Sequence, residues 1–379
     1  MKKLFILCLL AAAGSSRAQT QSQTQTPDET IKDLMDHAHV TGMNVGIIRD
    51  NQIVYIKSFG YKNKPAGQLA DTATCMYAAS LSKAVFAYLV MQLAGENLID
   101  PDKPLYTYLP KPLPEYPDYK DLEGDDRWRL ITARHCLSHT TGFPNLRWFN
   151  PRGNKKLEIF FTPGSRYAYS GEGLMLLQLV VETVTGKSLE DLAQQRIFGP
   201  FGMRRTGYVW QPAFDEDFAV GHTARADTVV KRRRNKPNAA GSMETTIADY
   251  TRFLAAVMQH RDITPKAWDE MLSPQIAIYE KRQFPSLNTD STLANRGKEL
   301  SYGLGWGLFR DPTAGRVFFK EGHDDGWQNY SICIPERKEA YVFLSNSDNA
   351  EKIYTELVRR LTGITIPWEW EGYGRPWPE

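Results

Sequence analysis

The feature that most constrains the fold is strand-like sequence placed at both ends of a chain of 379 residues. Residues 43–63 contain two β-rich runs around an Asp50-Asn51 turn, and residues 316–348 contain three more runs with short connections. Short connections between strands favour antiparallel pairing. We therefore predict one antiparallel sheet to which both ends of the chain contribute.

The middle of the chain, residues 96–300, combines helical patterns with many Pro- and Gly-containing loops. The helices predicted from periodicity and capping residues are 29–38 (capped by Asp28), 172–185, 188–195, 246–259 and 350–361. The economical assembly is α/β (α+β), an antiparallel sheet flanked by helices, with a large and mostly helical inserted domain. We assign residues 28–95 and 301–379 to the α/β domain and residues 96–300 to the insertion. A site is expected in the cleft between them.

The N-terminus has the pattern of a secretory signal peptide. Lys2 and Lys3 precede an apolar stretch that is too short to span a bilayer, and small residues follow it up to residue 18. Residues 19–27 are a polar, low-complexity leader. We expect a secreted protein, with the periplasm as its compartment, and no membrane span once residues 1–18 are removed.

Charge and cysteine content exclude several classes of function. Removing residues 1–18 takes away three basic residues and no acidic one, so the net charge falls from +2 to about −1. A near-neutral protein has no general attraction to nucleic acid, and the basic run 231–234 is better explained as a solvated loop. The remaining cysteines, Cys75, Cys136 and Cys333, are odd in number and lack metal-binding spacing. No metal or other cofactor is expected.

Ser80 and Lys83 form a Ser-x-x-Lys pattern at the start of an apolar, helix-like run. Residues three apart on a helix lie on the same face. A serine hydroxyl becomes a good nucleophile only when a neighbouring base accepts its proton, and a lysine can do so if burial keeps it neutral. The spacing alone is weak, because one such match is expected by chance in a chain of this size.

Two further stretches strengthen the pattern. Tyr169 and Ser170 stand in a loop immediately before a helical run, and His323 stands at the end of a strand-like run. In this order the chain resembles the serine β-lactamase and penicillin-binding protein superfamily, nearest to its class C β-lactamase, DD-peptidase and esterase group. The resemblance runs from about Val40 to Asn346 and implies a β-lactamase/transpeptidase-like fold. Secondary signatures that agree with it are residues 131–144, 197–208, 239–254 and 302–308.

The resemblance implies a role for each matching residue. Ser80 corresponds to the acylated nucleophile, Lys83 to the base beside it, and Tyr169 to the residue that relays protons. His323 corresponds to the basic residue of the third motif, which polarises the site or orients the substrate. The backbone N–H groups of Ser80 and Gly326 would form the oxyanion hole.

Two departures from the family pattern bear on the substrate. The second motif, usually Tyr-x-Asn, here ends in Gly171, so the amide that would bind the acyl part of a substrate is missing. After His323 come Asp324 and Asp325, which would repel the carboxylate of a β-lactam or D-peptide. We therefore expect neutral or cationic substrates. The candidate substrate-contacting residues are Ser170, Gly171, Asp324, Asp325 and Trp327.

Other residues have simpler structural explanations. His135 and His139 are four apart, but no carboxylate accompanies them, so packing is favoured over a metal site. Glu172 is more simply a carboxylate in the first turn of a helix than an aid to deacylation. Trp327 could equally well line the wall of a pocket or be buried in the core. The tryptophan-rich C-terminal tail is favoured to pack over the domain rather than line a ligand groove.

These inferences predict an exported serine hydrolase that cleaves an ester or amide through an acyl-serine intermediate. One alternative is a true β-lactamase or D-alanyl-D-alanine carboxypeptidase that acts on peptidoglycan. Another is a catalytically silent binding or sensor protein with the same fold. The expected partner is a small-molecule or peptide substrate, without nucleic acid, and the oligomeric state stays open.

Overall fold

A computed structural model describes residues 25–230 and 233–371. Its strands are β1 Gly42–Arg49, β2 Gln52–Asn63, β3 Gln68–Leu69, β4 Met76–Tyr77, β5 Gly221–His222, β6 Thr228–Val229, β7 Glu244–Thr245, β8 Ile276–Ala277, β9 Ser301–Tyr302, β10 Gly307–Asp311, β11 Gly315–Asp324, β12 Trp327–Ile334 and β13 Glu339–Ser345. Nine of them form the central sheet, in the order β3-β2-β1-β13-β12-β11-β10-β9-β8. β4 pairs with β7, and β5 pairs with β6.

The central sheet joins the two ends of the chain, as predicted. β1 runs antiparallel to β13, with Met43 opposite Ser345 and Ile48 opposite Ala340. β1 and β2 form the expected hairpin, whose turn residues Asp50 and Asn51 have φ angles of 50° and 59°. Positive φ at both central residues is what a two-residue hairpin turn of matching twist requires. The sequence prediction of an antiparallel sheet with flanking helices is confirmed.

The helices are α1 Pro27–Ala38, α2 Leu81–Gly95, α3 Ala133–Leu137, α4 Gly171–Thr185, α5 Leu189–Ala193, α6 Gly199–Phe201, α7 Ile247–Met258, α8 Pro265–Met271, α9 Tyr354–Thr362 and α10 Trp368–Glu371. The predicted cap of α1 is wrong by two residues. Thr26 caps α1 in a reciprocal arrangement with Glu29, whereas Asp28 accepts hydrogen bonds from Tyr55 and Lys57 of β2. A first-turn carboxylate thus ties the helix to the sheet.

The proposed division into an α/β domain and an insertion stays a prediction. β8 lies within residues 96–300 and is nevertheless part of the central sheet, next to β9. One hydrophobic cluster also contains side chains from α2, from α4 (Leu174 and Val180) and from the sheet (Val342). The sheet and the helical middle of the chain therefore share one core.

α2 is the central helix of that core. Residues 81–93 are all buried, and the helix packs against α8 and β11. A helix that is apolar all round belongs inside a protein. Its two polar residues near the start, Ser82 and Lys83, are consequently carried into the interior. This position removes Lys83 from water.

The predicted signal peptide and most of the leader, residues 1–24, lie outside the described residues. Within residues 25–230 and 233–371, no helix is both long enough and apolar enough to cross a membrane.

Candidate active site

The first element of the site is the turn that leads into α2. Ala79 has a φ angle of 47°, and Ser80 follows as the N-cap without a capping hydrogen bond from its side chain. Ser82 holds the turn, because its hydroxyl donates to the Ala79 carbonyl at 2.6 Å and accepts from the Met243 N–H at 3.1 Å. The Ser80 hydroxyl is thus left for other partners.

Lys83 lies one helical turn after Ser80, with its Nζ 2.8 Å from Ser80 Oγ. Lys83 Nζ also donates to the Ala240 carbonyl at 2.5 Å, and only 3% of the residue is exposed. Burial lowers the pKa of Lys83 well below its usual value, and the nearby charge of Lys320 lowers it further. The geometry and the electrostatics both suit a lysine that accepts a proton from Ser80.

Tyr169 ends the loop before α4 and reaches the same two residues. Its ring is buried, and the Nζ atoms of Lys83 and Lys320 lie 4.9 and 5.1 Å from the ring centre. Burial raises the pKa of Tyr169 well above 10, the charge of Glu321 adds to this, and a hydrogen bond with Ser80 acts in the opposite direction. The phenol is therefore protonated at rest and can donate.

Lys320, rather than His323, is the basic residue of β11 that faces Tyr169, which corrects the sequence prediction. Lys320 Nζ donates to the Tyr169 hydroxyl at 3.2 Å. Burial, followed by the charge of Lys320, lowers the pKa of His323 to about 3, so His323 carries no charge near neutral pH. The signal was present in the sequence, because Lys320-Glu321-Gly322 fits Lys-x-Gly and the residues from His323 onward do not.

Lys320 forms a buried ion pair with the residue that follows it. Lys320 Nζ lies 3.0 Å from Glu321 Oε1, and both side chains are at most 1% exposed. Burial lowers the pKa of Lys320, whereas Glu321 raises it. Gln283 donates to Glu321 at 3.1 Å and accepts from the Tyr167 hydroxyl at 2.6 Å. Sequence patterns gave no sign of this network, since Gln283 lies in an irregular loop.

Gly322 lets β11 approach the start of α2 directly. A Cβ atom at Gly322 would lie 2.4 Å from the Ala78 carbonyl oxygen, 2.9 Å from Leu81 N and 3.1 Å from Ser80 N. Real Cβ atoms do not come that close to backbone atoms, so this contact requires glycine. Strand and nucleophile turn are thereby held side by side.

Gly326 does not occupy the place predicted for an oxyanion-hole donor. Gly326 lies in the turn between β11 and β12. Its N–H donates to Asp348 Oδ1 at 2.6 Å, and its Cα faces Gly221 and His222 of β5. A backbone N–H that is already bonded to a carboxylate cannot also serve a substrate oxyanion at Ser80.

Ser170 and Gly171, predicted to contact substrate, are used by the protein itself. The Ser170 hydroxyl is buried, donates to the Pro144 carbonyl at 2.9 Å and accepts from the Gly173 N–H at 3.0 Å as the cap of α4. The Gly171 N–H donates to both the carbonyl and the side-chain oxygen of Asn145, at 2.8 and 3.1 Å. These contacts fix the position of Tyr169 just before α4.

Glu172 clamps the loop next to the site. It is fully buried and accepts from Arg147 Nε at 3.0 Å, from Arg147 Nη2 at 2.8 Å and from the Arg147 backbone N–H at 2.7 Å. Two parallel bonds from an arginine to a carboxylate combine strength with fixed geometry. The sequence predicted that Glu172 lies in the first turn of a helix, but it did not predict the hydrogen bonds with Arg147.

His139 packs on Tyr169, with ring centres 4.2 Å apart. Its Nδ1 accepts from the Ser170 N–H at 3.1 Å, which places the ring proton on Nε2. Burial lowers the pKa of His139 well below 6.5, with the charges of Lys83 and Lys320 acting in the same direction. Over residues 25–230 and 233–371, no three His, Cys, Asp or Glu side chains are grouped as a metal site would need.

The end of the β11–β12 hairpin carries the remaining predicted residues. Asp324 and Asp325 are exposed there. Trp327 is 2% exposed and packs edge-on against Tyr77, with ring centres 6.1 Å apart. Of the two readings left open for Trp327, burial in the core is therefore the correct one.

Comparison with known proteins agrees with this geometry. A family model described as Beta-lactamase matches residues 27–363. The Bacillus subtilis protein named penicillin-binding protein 4* is 23% identical over 355 residues, which cover 84% of this chain and 71% of that protein. The Escherichia coli K12 protein named D-alanyl-D-alanine-carboxypeptidase/endopeptidase AmpH is 23% identical over 401 residues, 96% of this chain and 97% of that protein.

A solved structure from Burkholderia cenocepacia, described as D-alanine carboxypeptidase AmpC, has the same fold. It superposes with a TM-score of 0.69 at 20% identity and covers 89% of this chain and 97% of that one. Because the family model spans most of the chain, this protein belongs to the beta-lactamase family and is a serine hydrolase.

Proposed function

We propose that this protein hydrolyses ester and amide bonds, including peptide bonds, through a covalent acyl intermediate on Ser80. The observation that carries the proposal is the 2.8 Å contact between Ser80 Oγ and the buried Lys83 Nζ. A lysine whose pKa lies far below its usual value can accept the serine proton near neutral pH.

In acylation, the Ser80 oxygen attacks the substrate carbonyl carbon while its proton passes to Lys83 Nζ. The carbonyl electrons move onto oxygen, where the Ser80 N–H and a backbone N–H of β11 beside Gly322 stabilise the charge. This pair of donors follows from the close approach of β11 to the Ser80 turn. It replaces the pair predicted from sequence.

Breakdown of the tetrahedral intermediate breaks the bond to the leaving group, which needs a proton. The Tyr169 hydroxyl donates that proton and regains one from Lys83, next to which it lies. Lys320 stabilises negative charge that develops on the phenol oxygen, since it donates to that oxygen at 3.2 Å. In deacylation, water attacks the acyl carbon and its proton passes to neutral Lys83, directly or by relay through the Tyr169 hydroxyl. When the tetrahedral intermediate breaks its bond to Ser80 Oγ, Lys83 returns the proton to that oxygen, and the acid product is released.

The charges around the site favour neutral or cationic substrates. Lys320 is already paired with Glu321, and Asp324 and Asp325 are exposed at the end of the nearby hairpin. A substrate carboxylate placed there meets like charges, which cost of the order of 1 kcal/mol each at partly exposed positions.

A second candidate, a D-alanyl-D-alanine carboxypeptidase, is supported by the names of relatives and by Arg234. Arg234 Nη2 donates to the Tyr77 hydroxyl at 3.0 Å, and its guanidinium lies 4.4 Å from the centre of that ring. A Cβ atom at Gly241 would lie 3.7 Å from the Tyr77 hydroxyl and 3.7 Å from the Ala79 carbonyl, so both groups lie next to Gly241. A cation that close to the Ser80 turn can receive a terminal carboxylate.

Labelling with a fluorophosphonate probe tests the proposed chemistry. The wild-type chain should become covalently labelled, and Ser80→Ala should lose the label while keeping its melting temperature. Ser273→Ala, which removes a surface hydroxyl bonded to the Asp269 carbonyl, is the matched control and should label normally. Labelling that survives in Ser80→Ala would refute Ser80 as the nucleophile, and a folded wild-type chain that never labels would favour the silent binding protein.

Turnover of p-nitrophenyl acetate, a D-amino-acid amide, a D-alanyl-D-alanine peptide and a cephalosporin then separates the substrate classes. We expect the uncharged ester and the amide to be turned over faster than the two carboxylates. Faster turnover of the D-alanyl-D-alanine peptide, lost in Arg234→Ala, would favour the second candidate.

We also propose that the protein is exported, on the basis of residues 1–18. Expression of the full chain in a Gram-negative host, followed by N-terminal sequencing of the periplasmic fraction, tests this. The mature chain should begin near residue 19.

A further inference from the structure

A cavity of about 150 Å³ lies between the end of α8 and the strands β10 and β11. We call it the β11 pocket. The apolar side chains that line it are Trp268, Leu272, Pro274, Leu308, Phe318 and Pro335. Phe318 stands four residues before Gly322 on β11, so about 13 Å of strand separates the pocket from the Ser80 turn. Protein interiors leave few spaces of this size, and an apolar cavity of about 150 Å³ can hold a benzene-sized molecule.

Two arginines stand side by side at the exposed end of this pocket. Arg310 of β10 lies directly opposite Arg316 of β11, and Leu308 lies directly opposite Phe318. Residues two apart on a strand share a face, so the arginine pair continues the surface that the apolar pair begins. Both arginines line the cavity, and their side chains are 54% and 49% exposed. Like charges directly opposite each other destabilise a sheet, so stability does not explain this pair.

A carboxylate flanks each arginine without hydrogen bonding to it. Glu299 Oε2 lies 3.6 Å from Arg310 Nε, and Glu336 Oε1 lies 3.8 Å from Arg316 Nε. Both distances exceed the range of hydrogen bonds, and none of the residues that the structure describes accepts a hydrogen bond from either guanidinium. The guanidinium N–H groups therefore remain available to a ligand. Because two carboxylates stand beside them, a ligand with one negative charge fits better than a phosphate with two.

We propose that the β11 pocket binds a small monocarboxylate whose apolar body is about the size of a benzene ring. The body packs against Trp268, Leu308 and Phe318, and the carboxylate accepts hydrogen bonds from Arg310 and Arg316. The planar fork of an arginine matches the geometry of a carboxylate, and such charge-assisted bonds are among the strongest in proteins. This second binding site does not depend on the chemistry proposed for Ser80.

Isothermal titration calorimetry with 4-phenylbutanoate tests the proposal, because its three-carbon linker lets the ring enter the pocket while the carboxylate stays at the arginines. The wild-type protein should show saturable binding. The uncharged 4-phenylbutan-1-ol, which has the same apolar body, should bind at least about tenfold more weakly. Arg310→Met and Arg316→Met should each weaken binding of 4-phenylbutanoate at least about tenfold, as for loss of a hydrogen bond to a charged group. Their melting temperatures and their affinity for the alcohol should stay at wild-type values.

Two other arginines provide the controls. Arg225→Met is the matched change, because Arg225 Nε also lies 3.6 Å from a carboxylate, that of Asp227, at an exposed position. Arg234→Met removes the cation beside the Ser80 turn, and so tests whether the carboxylate binds there instead. Both control variants should bind 4-phenylbutanoate as the wild type does. Absence of saturable binding by the wild type, equal affinity in all four variants, or a loss confined to Arg234→Met would overturn the inference.

Discussion

At the scale of single residues, the reactivity of Ser80 depends on the charge state of Lys83. Burial is the main cause of the lowered Lys83 pKa, the charge of Lys320 lowers it further, and the charge of Glu321 raises it. Lys83 is an effective base only when neutral, so the rate falls as the pH drops through its pKa. The acid limb of the pH–rate profile therefore reports the balance of these charges.

Lys320→Met should move that acid limb to higher pH. The substitution removes a cation that disfavours protonated Lys83 and leaves Glu321, an anion that favours it, without its partner. Both changes raise the pKa of Lys83. The measurement is kcat/KM for p-nitrophenyl acetate across pH 5 to 10, together with circular dichroism to confirm folding.

Lys320→Arg is the matched control, because it keeps the positive charge. Its profile should retain the wild-type acid limb even where its maximal rate is lower. An acid limb in Lys320→Met at or below the wild-type position would contradict the assignment of that limb to Lys83.

The residues that sequence could predict are those with local spacing. Ser80 and Lys83 are three apart on one helix, and Tyr169 stands directly before another helix. The oxyanion donor was misplaced because the partner of Gly326 is Asp348, 22 residues further along the chain. The contact between Asn145 and Gly171 was not predicted for the same reason, since only the folded chain brings these two residues together. Lys320, by contrast, was missed despite a readable Lys-x-Gly pattern.

At the scale of elements, the site depends on the apposition of β11 and the start of α2. Gly322→Ala should reduce acylation by at least tenfold, because its Cβ would meet the Ala78 carbonyl and the Leu81 N–H, and neither backbone group can move alone. A displacement of about 1 Å at reacting atoms can cost about a hundredfold in rate. The rate of fluorophosphonate labelling measures this step.

Gly297→Ala is the control for that change, since a Cβ at Gly297 meets nothing within 4 Å. Its labelling rate should equal that of the wild type. A wild-type labelling rate in Gly322→Ala would mean that the strand and the nucleophile turn are not held as closely as described.

Long capped helices can be predicted from the sequence, whereas strands of two residues cannot. α4 and α7 start and end within one residue of their predicted bounds, because a capping residue and a glycine or polar stop mark them. β8 and β9 have two residues each and no alternation to detect, so they were not predicted. Their place in the sheet is set by pairing: β9 pairs with β10, and β8 pairs with β9, which comes more than twenty residues later in the chain.

At the scale of the whole molecule, residues 364–371, which follow the family match ending at residue 363, are part of the core. Trp368 and Trp370 are at most 3% exposed, which supports packing of these residues in the core and not a role in lining a ligand groove. The third tryptophan, residue 377, lies outside the described residues. The Trp370 carbonyl accepts from the Gln283 N–H at 2.7 Å, and the Gln283 side chain donates to Glu321. The tail thus supports the buried ion pair behind Tyr169.

Trp370→Ala should therefore destabilise the whole protein, by about 3–5 kcal/mol, the usual cost of truncating a buried tryptophan. Its ring lies 5.8 Å from Tyr167 and 6.3 Å from Phe319, so the substitution leaves a cavity between the tail and the central sheet. Urea unfolding of the purified protein measures the change. Trp148→Ala, at a residue that is 55% exposed, is the control and should alter the free energy of unfolding by less than about 0.5 kcal/mol. Equal, small losses in both variants would show that the tail is dispensable for the core.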